Sequence, residues 1–359
     1  MRGVSLTTAA HPFLMNNKPV SMKDIAQKAG VSTALVSYVL NGKEKESRVG
    51  QEIALRIKQI ANELNYQPNY LAKSLRSGKT QTIGLIIADI SNPFFANIAR
   101  IVEDEAKRNG YTVIIGSSDE NPAKSWDLIN VFLNRQVDGF ILVSSENSQE
   151  QVQYLKDRNC AFVLLDRHFP EIPTDFVCLN NYKAAYEAGS HLIRRGYRNI
   201  GMIAYKSRLF HMQERIRGYS QALLDHDITF RPAWLSEVGF TSIDQEVRAG
   251  IDGMLAPDQA VDALIFATYR IAIGGLKHIN ALGLSVPDDL AIVSFGQAEA
   301  FDLYYCPVTY LQQPMEDLGK TAVSLLVNKL KNPDEELKQV LMEATLIARQ
   351  SSKRKVLVS

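Results

Sequence analysis

Ser21-Met22-Lys23-Asp24-Ile25-Ala26-Gln27-Lys28-Ala29-Gly30-Val31-Ser32-Thr33-Ala34-Leu35-Val36-Ser37-Tyr38-Val39-Leu40-Asn41-Gly42 reads as two short helices broken at a glycine. Ser21 caps the first, whose apolar positions Met22, Ile25, Ala26 and Ala29 recur at helical spacing, and Gly30 ends it. The second starts at Ser32 and runs to about Leu40. Val36, Val39 and Leu40 form its buried side, and Thr33, Ala34, Ser37 and Tyr38 its other face. Two short helices joined by a tight turn with Gly at its start make a helix-turn-helix pattern. In that pattern the second helix lies in the major groove of DNA and its N-terminal residues touch base edges. An ordinary helical hairpin is the alternative that this stretch alone leaves open.

Working outward, Gln51 to about Leu64 predicts a third helix with Ile53, Ile57, Ile60, Ala61 and Leu64 on its inner stripe. It closes a head at residues 21–66 that is too small for a large core. Residues 1–20 hold Arg2 and His11-Pro12 but no apolar run of secretory-signal length, and are expected to form a disordered extension. After the head, Gln67-Pro68-Asn69-Tyr70-Leu71-Ala72-Lys73-Ser74-Leu75-Arg76-Ser77-Gly78 reads as about two turns of helix, with Asn69 as N-cap and Gly78 as stop. Isolated helices need roughly 12 to 15 residues for even marginal stability. This one is therefore expected to form only when something docks against it, as a hinge over residues 67–81.

Charge separates the head from the rest. Ser21 to Gln81 carries ten basic and five acidic residues although the whole chain is only +1, so the remainder is acidic. A basic head on an acidic body points to a polyanion partner for the head alone. Cys160, Cys178 and Cys306 are odd in number and widely spaced, which argues against a disulfide framework and a CxxC zinc site and fits a reducing cytoplasm. The histidines form no HxxxH pair, and no cofactor or metal is expected. The longest apolar runs, such as Ile83 to Ala88, are strand-sized, far short of the about 20 residues of a membrane span. Gly78-Lys79-Thr80 and Gly319-Lys320-Thr321 lack the earlier glycine of a phosphate-binding loop. No nucleophile elbow or paired-carboxylate motif supports catalysis, so the chain is not expected to be an enzyme.

Beyond Gln81, β-branched runs alternate with amphipathic helices. Thr82 to Ala88, Thr112 to Gly116, Gly139 to Val143, Ala161 to Leu165, Ile200 to Ala204, Ala263 to Phe266 and Ala291 to Phe295 read as buried parallel strands. Phe94 to Asn109 and Ala184 to Arg195 are among the helices between them. The alternation predicts doubly wound sheets with ligand sites at the carboxyl ends of strands, and the number of strands favours two Rossmann-like lobes.

The run Ser21 to Gly42, followed by Leu64-Asn-Tyr-Gln-Pro-Asn69 and Ala72-Lys-Ser-Leu75, resembles the lactose-repressor and purine-repressor (LacI/GalR) family, and the resemblance extends through nearly all of the chain after the tail. It implies an α/β protein: an N-terminal helix-turn-helix three-helix head plus a two-lobed, periplasmic-binding-protein-like effector domain. By it, Thr33, Ala34 and Tyr38 stand where the family reads bases and Ser21 and Ser37 where it contacts phosphate. Leu75 stands where a leucine wedges into the minor groove, and Ser32, Asn69 and Arg76 complete the DNA-facing set. Thr33 and Ala34 suit apolar contact with a thymine methyl. In the body, Asp89-Ile-Ser-Asn-Pro-Phe-Phe95, Asp166-Arg167 and Arg215-Ile-Arg-Gly-Tyr219 match cleft segments. The resemblance thus implies an effector site of Asp89, Phe94, Phe95, Asp166, Arg167, Arg215, Tyr269 and Gln297. Aromatics offer stacking surfaces there while Asp and Arg orient polar groups. Read alone, Phe94 and Phe95 fit core packing as well as ligand contact, and Arg215 a surface salt bridge.

Departures from the family pattern are specific. The charged loop Asn41 to Val49 is long, and Gly50 stands at a capping position that usually holds Ser. Thr268-Tyr269, Gly296 and Asn180-Asn181 replace residues that are usually Asn-Asp, Asp and Asp-Asn, removing acceptors for sugar hydroxyls. The expectation is a cytoplasmic, dimeric, sequence-specific DNA-binding transcriptional repressor. A small-molecule effector, a sugar or sugar derivative, would control it from the interlobe cleft. Its partners would be a pseudo-palindromic double-stranded operator, the effector and a second copy of itself, with no membrane. The body, 82–359, is expected to divide into a first lobe at 82–181 and 309–336 and a second at 182–308 and 337–359. The rival reading is a stand-alone small-molecule binder or sugar-processing enzyme with an accessory helical head.

Overall fold

The computed structural model describes residues 20–67 and 78–353, and it separates into a head that ends at Gly78 and a body that begins at Lys79. The hinge helix, the roles of Asn69, Leu75 and Arg76, and the extension at 1–19 lie outside the described residues.

In the head, α1 (Met22–Ala29), α2 (Thr33–Leu40) and α3 (Gln51–Glu63) surround a core of Ile25, Val36, Val39, Ile57 and Ile60. The Asp24 carboxylate accepts the backbone N–H and the hydroxyl of Ser21, both at 2.7 Å, and so ties down the start of α1. Gly30 leaves α1 at φ 68°, a left-handed geometry that glycine adopts without a Cβ penalty. Ser32 then restarts the chain by accepting the Leu35 N–H at 3.2 Å. Gly50 caps α3 without a side-chain bond, and the charged loop before it is joined to α3 by an ion pair of Glu44 with Lys58 at 2.8 Å. One expected core residue is displaced: Ile53 stands outside the cluster and is 43% exposed, because in the first turn of α3 it is Ala54 that faces the other helices.

The first lobe is built from β1 (Thr82–Ile87), α4 (Pro93–Arg108), β2 (Thr112–Ser117), α5 (Pro122–Asn134), β3 (Gly139–Leu142), α6 (Gln149–Asp157), β4 (Ala161–Leu165) and β5 (Phe176–Leu179). The second follows with α7 (Asn181–Arg194), β6 (Ile200–Tyr205), α8 (Phe210–Leu224), β7 (Leu235–Val238), α9 (Ile243–Met254), β8 (Ala263–Phe266), α10 (Tyr269–Ala281), β9 (Ala291–Phe295), α11 (Ala300–Leu303) and β10 (Thr309–Gln312). Then α12 (Met315–Lys331), β11 (Gln339–Met342) and β12 (Thr345–Ile347) close the body. The sheet orders are β11-β5-β4-β3-β1-β2 and β12-β10-β9-β8-β6-β7. All pairings are parallel except that of β12 with β10. In each lobe the first strand lies between the second and third, which opens a crevice at the carboxyl ends of β1 and β3, and of β6 and β8.

The expected lobe boundaries need correction at the C-terminal side. Residues 309–312 pair in parallel with β9 and belong to the second lobe, so the chain returns to the first lobe only with α12, which packs on α4, β3 and β4. Residues 339–342 pair with β5 in the first lobe, and the final crossing falls between β11 and β12. Sheet hydrogen bonding places these short strands. The second lobe also depends on a close helix crossing: a Cβ on Gly218 of α8 would lie 2.1 Å from the Tyr182 carbonyl oxygen of α7. Among the described residues no helix is long and apolar enough to cross a membrane.

Candidate functional site

On the head, the start of α2 presents one exposed face. Thr33, Ala34 and Tyr38 are exposed, and Ala34 and Tyr38 are one turn apart. Ser21 and Ser32 are exposed beside them and Ser37 is half-buried. Ser37 also accepts from the Asn41 amide, at its carbonyl (2.7 Å) and its hydroxyl (3.2 Å). Val36 and Val39 hold the opposite face in the core at 0% and 1% exposure, so the exposed face cannot rotate inward.

In the body, a cavity of about 340 Å³ opens between the carboxyl ends of the two sheets. All eight residues expected at an effector site line it: Asp89, Phe94, Phe95, Asp166, Arg167, Arg215, Tyr269 and Gln297. Asp89 leaves β1 and uses Oδ1 to accept the Ser91 N–H (2.8 Å) and hydroxyl (2.6 Å). Asn92 caps α4 by accepting the Phe94 N–H at 2.9 Å, which fixes the two phenylalanines that follow it. Phe95 packs into the lobe core while Phe94 is half-buried at its edge, so the core-packing and cavity-lining readings hold together.

Asp166 and Arg167 follow β4 and are both nearly enclosed. Arg167 grips Glu120 through two bonds of 2.7 Å, donates to the Ser144 carbonyl at 3.1 Å, and stands 3.6 Å from Asp166. Burial works against the Arg167 charge, but Glu120 and Asp166 more than offset it and hold the guanidinium firmly protonated. Burial pushes the Asp166 carboxyl up, with Arg167 and Arg215 opposing that shift. Across the cavity Arg215 of α8 donates to Asn181 Oδ1 (2.8 Å) and the Ala267 carbonyl (2.5 Å), with its guanidinium carbon 4.4 Å from the Phe295 ring centre. It is a buried position, not a surface salt bridge, and burial lowers its pKa to about 10. Tyr269 starts α10 and donates across the cleft to Asn92 Oδ1 at 2.9 Å; burial pushes its hydroxyl up to about 12.

The cavity also takes in residues that the motifs did not single out. Glu120 follows β2 and Tyr205 ends β6, positions to which the strand-end rule points. Tyr205 stacks on Phe240 with ring centres 4.2 Å apart. His211 comes from the buried side of α8, its enclosed Nδ1 without a hydrogen-bond partner among the described residues. Burial and the charges of Arg167 and Arg215 hold it well below the usual histidine value, so the ring is neutral. Arg270 reaches the cavity from α10. Gly296 brings no carboxylate to the wall. Among the described residues no cluster of His, Cys, Asp and Glu could hold a metal ion.

Comparisons with known proteins follow this division of the chain. Residues 21–69 match the model for bacterial regulatory proteins of the lacI family, and residues 190–352 match that for a periplasmic binding protein-like domain. The ribose operon repressor of Haemophilus influenzae is 32% identical over 331 residues, covering 92% of this chain and 98% of the relative. Among solved structures, the transcriptional regulator CelR in complex with cellobiose superposes with a TM-score of 0.70 at 25% identity, over 92% of this chain and 99% of that one. The lac repressor dimer bound to operator and the anti-inducer ONPF has the same fold, with a TM-score of 0.82 at 22% identity over 93% and 99% of the two chains. The chain belongs to the lacI family of bacterial regulatory proteins and is a DNA-binding transcriptional regulator, not an enzyme.

Proposed function

We propose that the protein is a cytoplasmic homodimeric repressor whose heads read a pseudo-palindromic operator through Thr33, Ala34 and Tyr38, and whose cleft binds a sugar or sugar derivative that controls operator affinity. The observation that carries the effector reading is the cavity lined by groups from both lobes, Tyr269 and Arg215 on one side and Asp89, Asp166 and Arg167 on the other. A ligand in such a cavity changes the equilibrium between open and closed lobes by its differential contacts. The complex of CelR with cellobiose supports a sugar-class ligand. Ser21 and Ser37 suit phosphate contacts that set the register of α2. A single small head makes few contacts, whereas two related by a two-fold axis read two half-sites. Leu303 is 87% and Tyr305 60% exposed on the second lobe, next to a groove formed by Ile273, Leu276 and Tyr304. An apolar face of this kind suits the pairing of two bodies.

A duplex selected from random pseudo-palindromes tests the DNA half. Its affinity should fall about 1,000-fold between 50 and 200 mM salt if several phosphates are neutralised. Loss of less than tenfold, or a monomer by sedimentation at the concentrations used, would count against the proposal.

A further inference from the structure

We propose that α2 recognises thymine by its 5-methyl group, so that the base pairs facing its N-terminal turn in each operator half-site are A·T, sensed through apolar contact with Thr33, Ala34 and Tyr38. This rests on the operator reading above and names the class of base that the head selects.

The composition of α2 carries the inference. Its eight residues, Thr-Ala-Leu-Val-Ser-Tyr-Val-Leu, include no Arg, Lys, Asn, Gln, Asp or Glu. Those are the side chains that tell base pairs apart by hydrogen bonds in the major groove: Arg and Lys at guanine, Asn and Gln at adenine, Asp and Glu at cytosine. The residues that α2 exposes are Thr33 and Ala34, each with a methyl group, and Tyr38, whose ring is 45% exposed. The apolar feature of a base edge in that groove is the thymine methyl. Thr33 and Tyr38 add one hydroxyl each, but a hydroxyl both donates and accepts and so suits any base edge.

Neighbouring polar groups do not supply the missing discrimination. Ser32 is committed to the cap, its Oγ accepting the Leu35 N–H at 3.2 Å. Asn41, at the C-cap, turns its amide back on Ser37, donating to the carbonyl at 2.7 Å and the hydroxyl at 3.2 Å. Lys43 lies beyond the C-terminal end of α2, where its N–H donates to the Tyr38 carbonyl at 2.9 Å. The N-terminal residues of such a helix, by contrast, are the ones that meet base edges. Lys23 and Gln27 stand on α1, the helix that crosses the backbone in this motif.

The duplex selected from random pseudo-palindromes supplies the probe. Each thymine of a half-site is replaced in turn by uracil, in both half-sites together, which removes the 5-methyl group and leaves the pairing intact. Affinity for the full-length protein is followed by fluorescence anisotropy at fixed salt. One buried methyl is worth about fourfold, so uracil at a position under α2 should weaken binding about fifteenfold for the symmetric pair. Cytosine at a sensitive position should bind worse than 5-methylcytosine there. Thr33→Ser, which removes a methyl from the protein and keeps the hydroxyl, should shrink the uracil penalty severalfold at one position, and Ala34→Gly should do so at another. The unfolding midpoint of the free protein checks that each variant folds.

Uracil that is harmless at every position overturns the assignment, as does an operator in which 7-deazaguanine at a G·C pair is the most costly substitution. Uracil penalties unchanged in both variants also overturn it, since the methyl groups would then be sensed from elsewhere. In each of these cases the repressor reading stands and only the thymine class falls. A pool from which no duplex is enriched removes both.

Discussion

His191 shows how much one buried side chain contributes to the second lobe. Its Nε2 lies 2.8 Å from the Ser352 hydroxyl, which lies 2.7 Å from that of Thr309. The Thr309 N–H donates to Ser351 Oγ at 2.7 Å, and the Ser351 hydroxyl donates to the Ile292 carbonyl at 2.7 Å. One polar chain thus joins α7, β9, β10 and the turn at Gln350–Ser352, and fixes the segment that follows the last lobe crossing. Burial, with Arg195 and Arg194 adding to it, lowers the His191 pKa to about 4. The folded value lies below the unfolded one of about 6.5, so the unfolded chain takes up the proton more readily. The stabilisation is complete above about pH 6.5 and is lost as pH falls towards 4, by about 3 kcal/mol in all. Urea unfolding from pH 7 to 5 should therefore lose stability more steeply in the wild type than in His191→Gln. Parallel profiles would assign the acid sensitivity to other groups.

At the scale of elements, the head stands on few side chains. Ile57 of α3 is fully enclosed by residues of α1 and α2, and truncating a buried Ile to Ala costs roughly 2 to 5 kcal/mol. A three-helix unit of this size has little stability beyond that. Ile57→Ala should abolish operator binding while ligand affinity of the body, measured calorimetrically, stays within twofold. Retained operator affinity would show that the head is held by more than its own core. The elements also show what was legible in the residues. Ser21, Gly30 and Ser32 marked the head helices because capping is local chemistry, and the β-branched runs marked the central strands because both faces of those strands are covered. The strands at 339–342 and 345–347 were not legible: each has three or four residues, partly exposed, and acquires its lobe only by pairing with a strand distant in sequence. The cleft divides in the same way. Asp89 and Asp166-Arg167 follow strands and could be placed by rule, aided by family resemblance. His211 needed the azimuth of α8, and Glu120 became a cavity residue through Arg167, which arrives from a different loop.

Across the whole molecule, three side-chain hydrogen bonds join the two lobes beside the cleft. Tyr269 donates to Asn92 at 2.9 Å, and Glu146 accepts the Arg208 N–H at 3.0 Å and the Ser207 hydroxyl at 3.3 Å. These bonds need the lobes to stand close, and a ligand held by groups of both lobes, as proposed above, would add to the same state. The neutral Tyr269–Asn92 bond is worth about 1 kcal/mol net and each bond to the Glu146 carboxylate about 1.5 to 3 kcal/mol, a balance that a ligand's differential contacts can bias. Coupling through such an equilibrium is reciprocal: if ligand changes operator affinity by some factor, operator must change ligand affinity by the same factor. Ligand titrations with and without operator, and operator titrations with and without ligand, should therefore give equal ratios. Arg215→Ala removes the enclosed guanidinium without touching the head, so both ratios should collapse towards one while ligand-free operator affinity stays near the wild-type value. An Arg215→Ala protein that still responds at the wild-type ligand concentration would show that the ligand's differential contacts lie elsewhere in the cleft.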